Sequence, residues 1–273
     1  MTKRDWRDLC AAAFAARNFL CVGLDPAKIP ERYENDQDED LLPEVEEFCT
    51  DIIDAVGDTA GFLKPNWAFF LKYGPGGLYS LQKLIQYAHQ QHPDLAVILD
   101  CKVGDIGDTN EAYAHAFFHH MKADAITIHG YLGLKASRPF LARADKGIFV
   151  LCHTSNPGAE EFQRLEVTED QRLFQFLAGN VQHHWNGNRN CGLVAGATYP
   201  DAIKSIRNTA PSLPLLVPGI GKQGGDLQAA VSAAMDEDGA GFIINSSSGI
   251  IFADDPQAAA RQLHSEILAA LSA

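Results

Sequence analysis

The chain has 273 residues, 46% apolar and 21% charged, the make-up of a folded globular protein with room for one large α/β domain and not of a disordered chain. A formal net charge of -13 argues against nonspecific binding to nucleic acid or to an anionic membrane surface, while leaving room for a locally positive pocket that takes a small anion. Cys10, Cys21, Cys49, Cys101, Cys152 and Cys191 form no close CxxC pair, so they read as reduced thiols of a cytoplasmic protein and not as a zinc site or a disulfide framework.

In chain order, residues 5–16 predict an extra helix covering the bottom of the fold. Asp5 and Asp8 interrupt its basic residues and Arg17 ends its apolar run, so neither a signal peptide nor a membrane span is expected. Short apolar runs rich in Val, Ile and Leu predict strands over 19–24, 61–64, 96–100, 125–128, 147–152, 191–195, 213–217 and 241–244. Each is followed by an amphipathic pattern that predicts a helix, over 41–55, 77–91, 110–121, 134–144, 170–184, 201–208, 226–235 and 256–271. Residues 26–40, with Asp36, Asp38, Glu39 and Asp40, read as a solvated excursion.

Regular strand-helix alternation implies a parallel (β/α)8 TIM barrel forming a single domain over 1–273, with a doubly wound open sheet as the competing architecture. In such a barrel the carboxyl ends of the strands share one mouth. Those ends supply Asp25, Lys64, Asp100 with Lys102 and Asp105, His129, Thr154 with Ser155, Thr198, Pro218 and the run from Asn245 to Gly249.

The densest chemistry lies between Asp100 and Thr109, where carboxylates and a lysine crowd the exit of an apolar strand. An isolated charge there costs several kcal/mol, so the pattern calls for mutual pairing. Lys64, held extended by Pro65, can join Asp100, Lys102 and Asp105 in an alternating, charge-balanced chain. Neighbouring carboxylates favour the cationic form of Lys102, which suits a proton donor to a developing carbanion better than an imine-forming nucleophile. A purely structural salt-bridge network is the competing reading of the same residues.

Two glycine-rich loops, Pro218-Gly219-Ile220-Gly221-Lys222-Gln223-Gly224-Gly225-Asp226 and Asn245-Ser246-Ser247-Ser248-Gly249-Ile250, follow the seventh and eighth predicted strands. That is where barrels of this class often hold phosphate on backbone N–H groups. Thr154-Ser155-Asn156-Pro157-Gly158 adds hydroxyl and amide groups suited to the polar edge of a heterocycle.

Taken together, D-C-K-V-G-D-I-G-D-T, F-L-K-P-N, T-S-N-P-G and P-G-I-G-K-Q-G-G-D, within a similarity that runs in order from Val22 to Ile250, resemble the orotidine 5'-phosphate decarboxylase family. The resemblance implies a homodimeric (β/α)8 barrel that converts orotidine 5'-monophosphate to uridine 5'-monophosphate without metal or organic cofactor. It implies roles position by position: Asp25 and Lys64 on the ribose side, Asp100 beside the departing carboxylate, and Lys102 as the proton donor to C6. Asp105, Ile106 and Thr109 would reach the neighbouring subunit's site, Ser155 the pyrimidine, and Gln223 the phosphate, with Pro218 as apolar support and Ser247 and Ser248 in the phosphate loop.

One position departs from the family pattern. Ser248 stands where the family carries an arginine that grips phosphate, which removes a charge-assisted contact of about 1.5–3 kcal/mol. Position 248 is consistent with compensation by Lys222 or another basic residue, or with a weakened or non-catalytic nucleotide-binding relative; a separate rival for the whole chain is a magnesium-dependent phosphosugar decarboxylase sharing the D-x-K-x-x-D framework.

Overall fold

The computed structural model describes residues 4–30, 42–220 and 225–272. Its strands are β1 (Leu20–Leu24), β2 (Phe62–Pro65), β3 (Ala96–Val103), β4 (Ala125–His129), β5 (Gly147–His153), β6 (Cys191–Ala195), β7 (Leu215–Pro218) and β8 (Phe242–Ser246). They pair in parallel, each with its neighbours in sequence, and β1 pairs with β8 in register Leu20↔Ile244, which closes the barrel. The closed barrel expected from the alternating pattern is thus the observed architecture, and the open sheet is not.

Side chains alternate between the two faces of each strand, and this period of two decides what the barrel does with each residue. Cys21, Phe62, Ala96, Ile98, Ala125, Phe149, Val194, Leu216 and Ile243 pack together inside the barrel. Their neighbours Val22, Leu63, Val97, Leu99, Ile126, Val150, Leu193, Val217 and Ile244 face outward into the larger core under the helices. Both faces are buried, so the strands read as nearly continuous apolar runs.

Helix α1 (Trp6–Ala15) seals the bottom, as its sequence predicts. Asp5 caps it by accepting the Arg7 N–H at 3.0 Å, and Trp6 packs within the barrel's inner cluster, its ring 5.8 Å from Phe62 and 5.4 Å from Phe149. Among the described residues, no helix is long and apolar enough to cross a membrane.

Two helices differ from the sequence pattern. The helix expected over 110–121 starts at Gly107 and widens into a π-helical turn, His115–His120, which buries Phe117 and Phe118 and leaves the rings of His115 and His119 stacked outside, 4.6 Å apart. The helix expected over 170–184 begins only at Leu173. Before it Glu166–Thr168 and Gln171–Arg172 pair as a small hairpin, and the Gln175 side chain accepts the Arg172 N–H at 2.7 Å, fixing the start of the helix there. The excursion expected over 26–40 lies largely outside the described residues.

Candidate active site

The inward face of each strand that lines the barrel with apolar side chains near the bottom carries polar ones at the top. On β3 the series Ala96, Ile98 continues as Asp100 and Lys102, on β2 Phe62 is followed by Lys64, and on β4 Ala125 is followed by Thr127. These side chains meet. Lys64 Nζ donates to Asp100 Oδ2 at 2.8 Å, Lys102 Nζ to Asp100 Oδ1 at 2.6 Å, and Thr127 Oγ1 to the same Oδ1 at 2.8 Å. Lys64 and Asp100 are buried, whereas the Lys102 side chain is 48% exposed and faces a cavity.

Burial alone would neutralise these groups; pairing reverses that. Desolvation opposes the charge on Lys64, but the Asp100 and Asp25 carboxylates outweigh it and hold its pKa above the ordinary lysine value. Desolvation likewise favours neutral Asp100, and the two lysine ammonium groups hold its carboxyl well below the usual carboxylate range.

The backbone at Lys102 is in the left-handed region, φ 46°, where a side chain costs about 1–3 kcal/mol. The β3–β4 register shifts between Leu99 and Val103 at this point. The displaced Lys102 N–H donates to Thr127 Oγ1 at 3.0 Å. One hydroxyl therefore fixes both the carboxylate and the strained backbone that aims the lysine. Thr127 is a residue the sequence reading missed, and its signal was a lone polar position on the inward face of an apolar strand.

The cavity, about 690 Å³, occupies the carboxyl ends of the strands and is large enough for a mononucleotide. At one edge Asp25 carries a buried Oδ1 with no hydrogen-bond partner among the described residues. Opposite, Ser155 lies on a loop pressed against β6, an approach that Gly196 permits because a Cβ there would stand 2.7 Å from the Ser155 nitrogen. Gln163, also missed in the sequence, holds that loop: its Oε1 accepts the Thr154 N–H and its Nε2 donates to Thr154 Oγ1, both at 2.8 Å. The far end is walled by Pro218 and by Ser246, Ser247 and Ser248. Gly23 leaves room for Ser247, whose Oγ would lie 1.9 Å from a Cβ on that glycine.

Not every candidate residue joins this cavity. Asp105 stands apart from the Lys64, Asp100 and Lys102 array: its Oδ1 accepts the Ile106 N–H at 2.7 Å, and its own N–H donates to Asn110 Oδ1 at 2.9 Å. Ile106 is 66% exposed, and neither it, Asp105 nor Thr109 is among the cavity-lining residues. The four-membered charge chain read from the sequence is therefore three-membered within this chain. Gln223 lies outside the described residues. All six cysteines are free, and burial pushes the Cys21 thiol, on the inner face of β1, up to about 12.

Residues 18–263 match the family model described as Orotidine 5'-phosphate decarboxylase / HUMPS family. The chain is 43% identical over 242 residues to orotidine 5'-phosphate decarboxylase of Bordetella pertussis, covering 88% of this chain and 86% of that one. The same enzyme of Azoarcus sp. is 44% identical over 256 residues, 92% of each chain. Among solved structures, Leishmania donovani OMP decarboxylase superposes with a TM-score of 0.88 at 39% identity, covering 98% of this chain and 99% of that one.

Proposed function

The chain belongs to the orotidine 5'-phosphate decarboxylase / HUMPS family, and from that membership we infer how its cavity decarboxylates orotidine 5'-monophosphate to uridine 5'-monophosphate, the carboxy-lyase step of pyrimidine biosynthesis. The observation that carries the reading is the Lys64, Asp100 and Lys102 array, in which a cationic lysine reaches into the cavity while its counter-charge stays buried.

The substrate lies with its phosphate at the serine loop after β8 and its pyrimidine toward Ser155. Asp25 and Lys64 receive the ribose hydroxyls, which gives the orphaned Asp25 Oδ1 a donor. The carboxylate then sits beside Asp100. As the bond from C6 to the carboxyl carbon breaks, its electron pair stays on C6 and carbon dioxide leaves. The Lys102 ammonium stabilises that charge through space and then gives up one proton to form the C6–H bond, to be reprotonated from water. Binding energy from the remote phosphate supports the same transition state. This sequence of steps uses no metal or organic cofactor.

The separation of Asp105, Ile106 and Thr109 from the cavity supports a homodimer with composite sites, in which these residues complete the partner's array. An exposed Ile106 at a strand exit suits such a contact. Mixing Lys102→Ala with Asp105→Ala subunits tests it. Random re-pairing of two inactive variants would restore about a quarter of wild-type activity, because half of the mixed dimers' sites are then intact; no recovery removes the composite site.

The activity itself is tested by following orotidine 5'-monophosphate absorbance with wild type and Lys102→Ala. Turnover by wild type and its loss in the variant are expected. Binding of uridine 5'-monophosphate without turnover by wild type would instead identify a non-catalytic nucleotide-binding protein.

A further inference from the structure

A phosphate monoester brings close to two negative charges, and hydroxyls and N–H groups alone compensate them poorly at an exposed cavity end. Residues 245–252 contain no basic side chain, and Lys64 and Lys102 are already paired with Asp100. The cation for that end must come from another loop.

Among the described residues, the loop after β1 is in position to supply it. β1 and β8 pair side by side, Cys21↔Asn245 and Val22↔Ser246, and Gly23 lets Ser247 lie directly against β1. Ala27 lines the cavity, and Lys28 follows it, exposed, with Nζ 5.8 Å from the ring centroid of Phe252, itself a lining residue of the β8 loop. The loop is anchored on both sides of Lys28: Lys72 Nζ donates to the Ala27 carbonyl at 3.1 Å, and Ile29 is buried in the core. A long ammonium with no hydrogen-bond or ion-pair partner among the described residues is thereby held at the rim beside the serine loop by a weak cation–π contact that it can leave at little cost.

We propose that Lys28 is the phosphate-pairing cation of this site: on substrate binding its ammonium moves from the Phe252 face onto the 5'-phosphate held by Ser247 and Ser248. The proposal rests on the nucleotide reading of the cavity given above. It makes Lys28 a residue that selects the phosphorylated nucleotide over the nucleoside, with Lys72 positioning its loop.

The test compares wild type, Lys28→Gln and Lys28→Arg by KM and kcat for orotidine 5'-monophosphate and by calorimetric Kd for uridine 5'-monophosphate and uridine. Expected are a rise of about tenfold in KM and in the uridine 5'-monophosphate Kd for Lys28→Gln, little change in kcat, no change for uridine, and near-wild-type values for Lys28→Arg. Unchanged KM and Kd in Lys28→Gln, or equal weakening of nucleotide and nucleoside, would overturn it and leave Lys28 a surface cation–π contact. A wild type that binds uridine 5'-monophosphate in a Lys28-dependent way without turning over substrate would overturn the decarboxylase reading and keep the role of Lys28.

Discussion

Two buried carboxylates sit at opposite ends of this barrel, each held by basic side chains, yet their surroundings differ. At the bottom, Asp124 receives Arg4 in a bidentate pair with both contacts at 2.9 Å, His89 Nε2 at 3.1 Å and the Val97 N–H at 2.9 Å. At the top, Asp100 receives Lys64, Lys102 and Thr127. Both carboxyls are held well below the usual range: burial opposes their charge, and the partners outweigh it. A depressed carboxylate therefore does not by itself mark a site. The distinction lies in the partners. Asp124's neighbours are a rigid fork and a backbone amide that tie the start of the chain to β3, whereas Asp100 faces a cavity through a half-exposed lysine on a strained backbone.

The sharpest way to break this comparison is to remove one member from each end. Lys102→Ala is expected to lower kcat by about 10³-fold or more, since it loses both the proton and the field, with the urea midpoint little changed. Asp124→Asn should do the reverse, costing about 3–5 kcal/mol in urea unfolding while the folded fraction turns over substrate at the wild-type rate. A kinetic defect in folded Asp124→Asn would make the bottom pair part of the chemistry. Further along the cavity, Ser248→Arg is expected to lower KM for orotidine 5'-monophosphate by about tenfold through a new charge-assisted contact, with no gain in stability. Unchanged kinetics would remove position 248 from phosphate binding.

The smallest effect is on pH dependence. Asp100 and Asp124 have folded pKa values below the unfolded value of about 4, so the stability they contribute is complete above that pH and is lost as pH falls through the folded values. His153 acts at higher pH. Burial, then the nearby Arg164 charge, lower its pKa to about 4, so between that value and the unfolded value of about 6.5 the unfolded chain binds more protons. Its contribution is present above about 6.5 and declines as pH falls toward 4, and His153→Phe should flatten that part of a urea-midpoint curve measured against pH. An unchanged slope would assign the window to another group.

Much of this is legible in the sequence. The β3 run placed Asp100 and Lys102 two residues apart, which on a strand means one face, and Pro65 marked Lys64 as a strand end. The barrel followed from repeated strand-helix units. What the sequence could not carry was pairing between distant residues. Thr127 and Gln163 matter through partners 27 and 9 positions away; the lone polar position of Thr127 on an apolar strand marks it as unusual without naming its partner, and Gln163 carries no local mark at all. Asp105 belongs here too: spacing puts it near Lys102 along the chain, while Asn110 and the Ile106 N–H hold it away from the Lys102 array of its own chain. The π-helical turns at His115–His120 and Val181–Trp185 share this character, since a single wide turn of five or six residues is too short to stand out as a separate period within a helical pattern.

The helix that seals the bottom has a consequence for the order in which the molecule is made. Trp6 donates its backbone N–H to the Asp145 carbonyl and packs its ring on Phe149, while Arg4 waits for Asp124, 120 positions later. A ribosome therefore delivers the stopper first and its socket only after half the chain has emerged. Until then α1 is an amphipathic fragment with an unburied tryptophan, and its docking is a late, non-local event that reports completion of the first five strands. Trp6 is accordingly the tryptophan whose fluorescence should change last in refolding.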